Sequence, residues 1–384
     1  MKGRVLFYVL HLLGVGHLRR ADILARAMAE DGLDVTIALG SRPVPEVTFS
    51  GARVIELPPV SIKNLNFSVL HDGEGRPADE VWRNARREAL LALYREVDPD
   101  VMMFELFPFG RRQFRFELVP LLEEIHRSTP RPHVVSSVRD VLVSSPKPGR
   151  HAEYADLAAR FFDHILVHSD PTLIPFGATF SEAERIANLI RYTGYVTMSD
   201  VDSLSSEGYG EVIVSAGGGA VGGPLLSAAM EARHDTPLAN NVWRFLAGPN
   251  LPREDYDRLA THADNRTIVE RFRKDFSARL GNAALSISQA GYNTTMDILR
   301  SHVRAVVIPY EDREETEQRL RSDILAQRGL VTVVPMAELS PARLAAAIRE
   351  AVAKPPAVPI QADMGGRSAT VRIISELAGR RIGA

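Results

Sequence analysis

A chain of 384 residues is too long for one ordinary hydrophobic core and suits two cores of roughly 150–200 residues each. Its composition, 45% hydrophobic and 24% charged, is that of a globular protein, and a formal net charge of −2 gives no electrostatic footprint for nucleic acid. The absence of Cys excludes disulfides, thiolate catalysis and Cys-ligated zinc.

The first segment joins a basic start to an apolar run, as a signal peptide does. That run passes into Gly14-Val15-Gly16-His17 without a small-residue cleavage site, so a buried first strand of a cytoplasmic protein is the better reading. No segment approaches about 18 consecutive apolar residues, and no transmembrane helix is expected. Arg4–Leu10 reads as a strand, His17–Glu30 as an amphipathic helix, and Asp34–Leu39 and Arg53–Leu57 as strands. Asp79–Glu96 reads as a long helix, Val101–Phe107 as a strand, Phe116–Arg127 as a helix, and His133–Ser137 as a strand. Glu153–Phe162 and His164–His168 continue the alternation as helix and strand. Near-continuous Val/Ile/Leu runs separated by helices indicate a parallel sheet covered on both faces.

The pattern lapses between Thr193 and Gly210, where small polar residues mark a linker. It restarts with strands at Glu211–Ser215, Val242–Ala247, Ala284–Ser288, Ala305–Pro309 and Leu330–Val334. Helices are expected at Pro224–Ala232, Thr294–Arg300, Glu315–Gln327, Pro341–Ala353 and, after a Pro-rich stretch, Gly366–Leu377. The organisation is therefore α/β: two Rossmann-like, doubly wound parallel-sheet domains, 1–198 and 199–364, followed by a terminal helical segment, 365–384. Open sheets of this kind bind ligands beyond the carboxyl ends of their strands, and two of them facing a cleft would place the chemistry there.

Each unit begins with a glycine loop. In the first, Gly14 and Gly16 open a helix whose N-terminus favours an anionic group. Dinucleotide binding would need a third Gly, where Arg19 stands, and an acid closing the second strand, which instead ends Ala38-Leu39-Gly40. The second loop, Gly217-Gly218-Gly219-Ala220-Val221-Gly222, again contains the glycine pattern and again lacks the acid, since the next strand ends Ala247-Gly248-Pro249. There is no P-loop, H-E-x-x-H or G-x-S-x-G. Asp98-Pro99-Asp100, the one arrangement resembling a divalent-metal motif, precedes a strand and lies at the wrong end for a site, so no metal is expected.

The most informative stretch is Leu285–Asp297: a strand, the turn Gln289-Ala290-Gly291, then a helix opening with Tyr292, Asn293, Thr294 and Thr295. Helix N-terminal N–H groups and hydroxyls suit a diphosphate, and a nearby carboxylate accepts two hydrogen bonds from a ribose diol. This stretch resembles the nucleotide-sugar site of the MurG-like, family 28 glycosyltransferases, although Gln289-Ala290-Gly291 replaces their more usual Ser-Gly turn. The resemblance implies the GT-B architecture and a ribose contact at Asp297. It implies that Val269–Arg273, with Phe272 and Arg273, holds the base, and that Glu317 and Gln318, followed by Arg321, contact the donor sugar. His17 falls where these enzymes carry the His of their first Gly-rich loop. The blocks Glu105–Arg112 and Ser137–Asp140 resemble bacterial proteins described only as predicted glycosyltransferases. By the same resemblance the terminal helix crosses back onto the N-terminal domain, and its Val371, Ile374 and Leu377 need a partner surface.

The implied activity is metal-independent, inverting transfer of a sugar, an N-acetylhexosamine for instance, from a UDP-sugar to a hydroxyl acceptor, with the nucleotide-sugar as substrate and no cofactor. Gly217, Gly218, Gly219 and the start of the Asn293 helix would stabilise the leaving diphosphate. His17 or, alternatively, Glu105 would be the base. Gly14, Gly16, Arg111, Arg112 and Arg139 would meet an anionic acceptor or the phosphates. The acceptor, whether a small molecule, a glycan or a lipid-linked sugar, is left open, and with it a peripheral membrane contact. Two rival readings share the architecture: a nucleotide-sugar epimerase that works without NAD, and a non-catalytic nucleotide-sugar-binding protein. Donor turnover without acceptor would mark the first, and binding without turnover the second.

Overall fold

The computed structural model describes residues 3–12, 16–45, 47–63, 66–142, 149–197, 207–217, 222–311, 316–354 and 362–383, without the side chains of 63 and 66–68. The chain divides into two compact units: Met1–Met198 with Asp363–Ala384, and Ser199–Ala362.

The first unit runs β1 (Arg4–Val9), α1 (Gly16–Glu30), β2 (Asp34–Ser41), β3 (Arg53–Lys63), β4 (Asn66–His71), α2 (Glu80–Val97), β5 (Val101–Glu105), α3 (Arg115–Arg127), β6 (His133–Arg139), α4 (Arg150–Phe161), β7 (His164–His168) and β8 (Ile190–Tyr192). The strands form one sheet in the order β4-β3-β2-β1-β5-β6-β7-β8, parallel except for the antiparallel pair β3–β4. Alternate residues of β1 enter different cores. Leu6 and Tyr8 pack with Phe104, Val134 and Val138, while Val5, Phe7 and Val9 pack with Met103, Val135 and α1. That is why the strands read as continuous apolar runs. Two edge elements escaped the sequence reading. β3 runs past the expected Leu57, its Pro58 and Pro59 accommodated by a register shift between Leu39 and Ser41 of β2, and pairs antiparallel with β4. β8 is a three-residue edge strand.

The second unit runs β9 (Val212–Ser215), α5 (Gly223–Ala232), β10 (Trp243–Leu246), α6 (Arg253–Thr261), β11 (Thr267–Glu270), α7 (Phe276–Leu280), β12 (Leu285–Gln289), α8 (Tyr292–Ser301), β13 (Ala305–Ile308), α9 (Glu317–Gln327), β14 (Thr332–Val333) and α10 (Pro341–Ala353). Its strands lie in the order β11-β10-β9-β12-β13-β14, with every pair parallel. α6, which buries only Leu259, gave no apolar signal to read.

The chain re-enters the first unit at Asp363, whose carbonyl accepts from Tyr195 N (2.7 Å) while Gly366 N donates to Tyr195 O (3.1 Å). A Cβ on Gly366 would run into the carbonyl of Gly194, so this close approach requires glycine. α11 (Gly366–Leu377) then lays Ile373 and Ile374 on Ala21, Leu24, Ala25 and Met28 of α1. Beyond it, Arg381 pairs with Asp98 (2.8 Å) and Asp100 (3.2 Å). The two acids of the Asp-Pro-Asp motif thus pin the C-terminal tail at the amino end of β5.

Candidate functional site

Each sheet has one place where the strand order reverses, and a ligand crevice opens there beyond the carboxyl ends. In the first unit the reversal lies between β1 and β5, and the sequence-predicted residues His17 and Glu105 meet across it. Nδ1 of His17 is 2.9 Å from Glu105 Oε1. Glu105 is fully buried; Arg20 and Ser137 also donate to it, the latter at 3.0 Å. A base must touch its substrate, so Glu105 is not the acceptor-facing base that the sequence offered as an alternative to His17. It is the partner that holds His17.

The ring of His17 keeps 17% exposure, and among the described residues its Nε2 carries no hydrogen bond. Burial and the positive charges of Arg139, Arg20 and Arg111 hold the imidazole well below its usual pKa, so it is neutral near pH 7. Glu105 is pushed up by burial and drawn back by Arg20, Arg139, Ser137 and Arg111. Arg111 stands on a strained turn: it and Leu106 are non-glycine residues in the left-handed region, at φ 60 and 69. The guanidinium of Arg139 lies against Gly16 at the start of α1, where any side chain would displace it. Arg112, by contrast, is an exposed partner of Glu153 (3.4 Å). Gly14 lies outside the described residues.

Four residues here were assigned no role from sequence, Ser137 having entered only as part of a family-like block. Arg20 is 2% exposed and reaches Glu105 from α1. Ser137 bridges to His168 at the end of β7 (2.9 Å). His11, just past β1, is 2.5 Å from Ser41 Oγ, its pKa lowered by burial and by Arg111. A polar residue near the carboxyl end of a buried parallel strand was the one available signal for Ser137 and His168.

In the second unit the order reverses between β9 and β12. Gly217, left-handed at φ 68, follows β9, and a Cβ there would lie 3.9 Å from Gln289 Oε1 at the end of β12, so the two loops adjoin. Gly218 and Gly219 lie outside the described residues. Gly291 starts α8, where among the described residues a Cβ would meet nothing within 4 Å and no side chain caps the helix, and a helix N-terminus of this kind suits an anion. Asn293 and Thr294 are half-buried in that turn. Asp297, one turn on, accepts from Ser277 Oγ (2.8 Å), and burial pushes its carboxyl up to about 6. Phe272 stands 68% exposed, presenting a free aromatic face.

Three predicted donor contacts are engaged elsewhere. Arg273 pairs with Asp275 (2.7 Å) and Glu270 (3.3 Å), which fix the turn after β11. Glu317 is buried and binds Arg321 (2.6 Å), whose guanidinium lies over the Tyr292 ring at 5.3 Å. That pair braces α9 against α8. Gln318 Oε1 accepts from Tyr310 N (3.1 Å), tying the first turn of α9 to the residues that follow β13.

Comparison with known proteins bears on these two crevices. Residues 218–376 match the glycosyltransferase family 28 C-terminal domain. A UDP-N-acetylglucosamine–N-acetylmuramyl-(pentapeptide) pyrophosphoryl-undecaprenol N-acetylglucosamine transferase from Brucella anthropi is 31% identical over 129 residues, 33% of this chain and 33% of that protein. The chain thus spans about a third of the length of this curated relative. Among solved structures, MurG of Acinetobacter baumannii superposes with a TM-score of 0.64 at 14% identity, over 97% of this chain and 99% of that one. CalG4, the calicheamicin glycosyltransferase, gives 0.61 at 15% identity, over 98% and 94%.

Proposed function

We propose that this protein transfers a sugar from a UDP-sugar to a hydroxyl acceptor, without a metal ion and with inversion, because residues 218–376 match the glycosyltransferase family 28 C-terminal domain in a chain of MurG-like GT-B fold. The observation that carries the reading is the family match over the segment containing Gly291, α8 and Asp297. His17 Nε2 takes the proton of the acceptor hydroxyl. The freed oxygen forms the new bond to the anomeric carbon, and the bond from that carbon to the diphosphate oxygen breaks, leaving its electron pair on the diphosphate. Uncapped N–H groups of α8 and the Gly217 turn receive the developing charge. Asp297 accepts the ribose hydroxyls, and Phe272 offers a face to the base. Buried Glu105 stabilises the imidazolium that His17 becomes, as Coulomb attraction in a low-dielectric site demands.

Calorimetric titration with UDP, with and without magnesium, tests the donor site. Binding in the micromolar range that ignores magnesium and is lost in Asp297→Ala is expected. His17→Ala should bind UDP like the wild type yet lose transfer by roughly 10²–10⁴-fold, the usual contribution of a general base. Failure of UDP, GDP, ADP and TDP alike to bind would remove the donor assignment.

A further inference from the structure

Behind His17 a line of buried polar groups runs across three neighbouring strands. Glu105 Oε2 accepts from Ser137 Oγ (3.0 Å), Ser137 Oγ is 2.9 Å from His168 Nε2, and His168 Nδ1 is 2.8 Å from Thr193 Oγ1. Glu105, Ser137 and His168 are each 0% exposed, and Thr193 is 1% exposed. The line is possible because Glu105 and Ser137 are register partners on β5 and β6, and His168 ends the adjoining β7. Nothing in the proposed reaction uses Ser137 or His168.

The protons along this line run one way. His168 is neutral, since burial and Arg20 hold its pKa well below the usual value, so it has a single ring proton. With that proton on Nε2, His168 donates to Ser137, Ser137 donates to Glu105, and Thr193 donates to Nδ1. With the proton on Nδ1, the only hydrogen of Ser137 would turn to Nε2. A lone pair of Ser137 would then face Glu105 Oε2 at 3.0 Å. A buried carboxylate oxygen deprived of its donor costs more than the competing Thr193 bond to the Gly194 carbonyl (3.0 Å) returns, so the first arrangement prevails.

We infer that Ser137 and His168 are positioning residues: they keep Glu105 a hydrogen-bond acceptor and so lock His17 with its proton on Nδ1 and its lone pair on Nε2. A protonated Glu105 would donate to Nδ1 instead, leaving Nε2 protonated and unable to act as a base. The charged groups facing the pair are Arg20 from α1, Arg111 from the turn after β5 and Arg139 from the end of β6. They favour the carboxylate, while burial opposes it, and Ser137 adds the hydrogen bond that keeps it ionised. The consequence for catalysis rests on His17 being the base proposed above; the tautomer does not.

Long-range 1H–15N spectra of the histidine rings in the full chain, with His17 assigned from His17→Gln, test the inference. Wild-type His17 should show the Nδ1–H pattern. In Ser137→Ala the pattern should shift toward Nε2–H, and the acid limb of kcat/KM should move up by about one pH unit, a tenfold loss at a fixed pH on that limb. UDP affinity should not change. His168→Leu should behave like Ser137→Ala, whereas His168→Gln, which retains an N–H near the Nε2 position, and Ser137→Thr should restore the wild-type pattern. An Nε2–H pattern in the wild type, or an unaltered pattern and pH profile in both Ser137→Ala and His168→Leu, would overturn the relay. A tautomer that shifts as expected while transfer survives in His17→Ala would uphold the relay and remove His17 as the base.

Discussion

Asp297 carries two opposing demands. Burial raises its carboxyl from the ordinary 3.8 to about 6, which disfavours the ionised form that a ribose diol needs. The native state therefore holds this proton more tightly than the unfolded chain does. From this group alone, stability should rise as the pH falls from about 6 toward 4. UDP binding should weaken over the same interval, since the neutral acid loses an acceptor. Chemical denaturation and UDP calorimetry from pH 4 to 8 would separate the two, and parallel trends in both would contradict the ribose assignment. His17 and Glu105 were each legible as candidate bases, one as a loop-mouth histidine and the other as a carboxylate ending a strand. Their pairing was not, because they lie 88 residues apart and meet only through the β1–β5 adjacency. Arg273 and Glu317 were misread for a related reason. A charged residue beside a ligand-binding segment looks the same in sequence whether it faces a ligand or, as here, a neighbouring side chain.

At the level of elements, α10 and α11 have the limits that sequence gave them, Pro341–Ala353 and Gly366–Leu377. For α10 the reason is local: Ser340 caps the helix by accepting from Arg343 N, and Pro341 opens it. α11 is held by packing on α1, where Ile374 is fully buried. Ile374→Ala should destabilise the first unit by about 2–5 kcal/mol in urea denaturation, the usual cost of emptying a buried aliphatic site. Arg367→Ala, which removes a partly exposed ion pair to Glu30, should cost less than about 1 kcal/mol. Equal losses would mean that helix α11 is held by its charges rather than by its apolar face. The elements that went unread, β4, β8, α6, β11 and α7, lie at sheet edges, are short or bury little, so periodicity had little apolar signal to report.

Across the whole molecule the cores are separate. Two clusters flank the sheet of the first unit, and another fills the second. Calorimetric unfolding should accordingly resolve two transitions. UDP at 100 times its Kd should stabilise the transition of Ser199–Ala362 by about 2.7 kcal/mol and leave the other in place. A shift in both transitions, or only in that of the first unit, would place the nucleotide elsewhere. Among the described residues no helix is long and apolar enough to cross a membrane.

By itself the sequence determined the α/β class, the tandem of doubly wound units and the resemblance of the Leu285–Asp297 stretch to a nucleotide-sugar site. Each of these depends on the order of residues along a strand, a turn or a helix face, and such order survives in one dimension. Only the tertiary structure decided which charged residues are available to a ligand and which are bound to one another. It also decided that Glu105 stands behind His17 rather than beside it, and that Ser137 and His168 complete the line. Those outcomes depend on strand order and register, which bring distant residues within hydrogen-bond distance, and on burial, which makes leaving any of them unpaired costly.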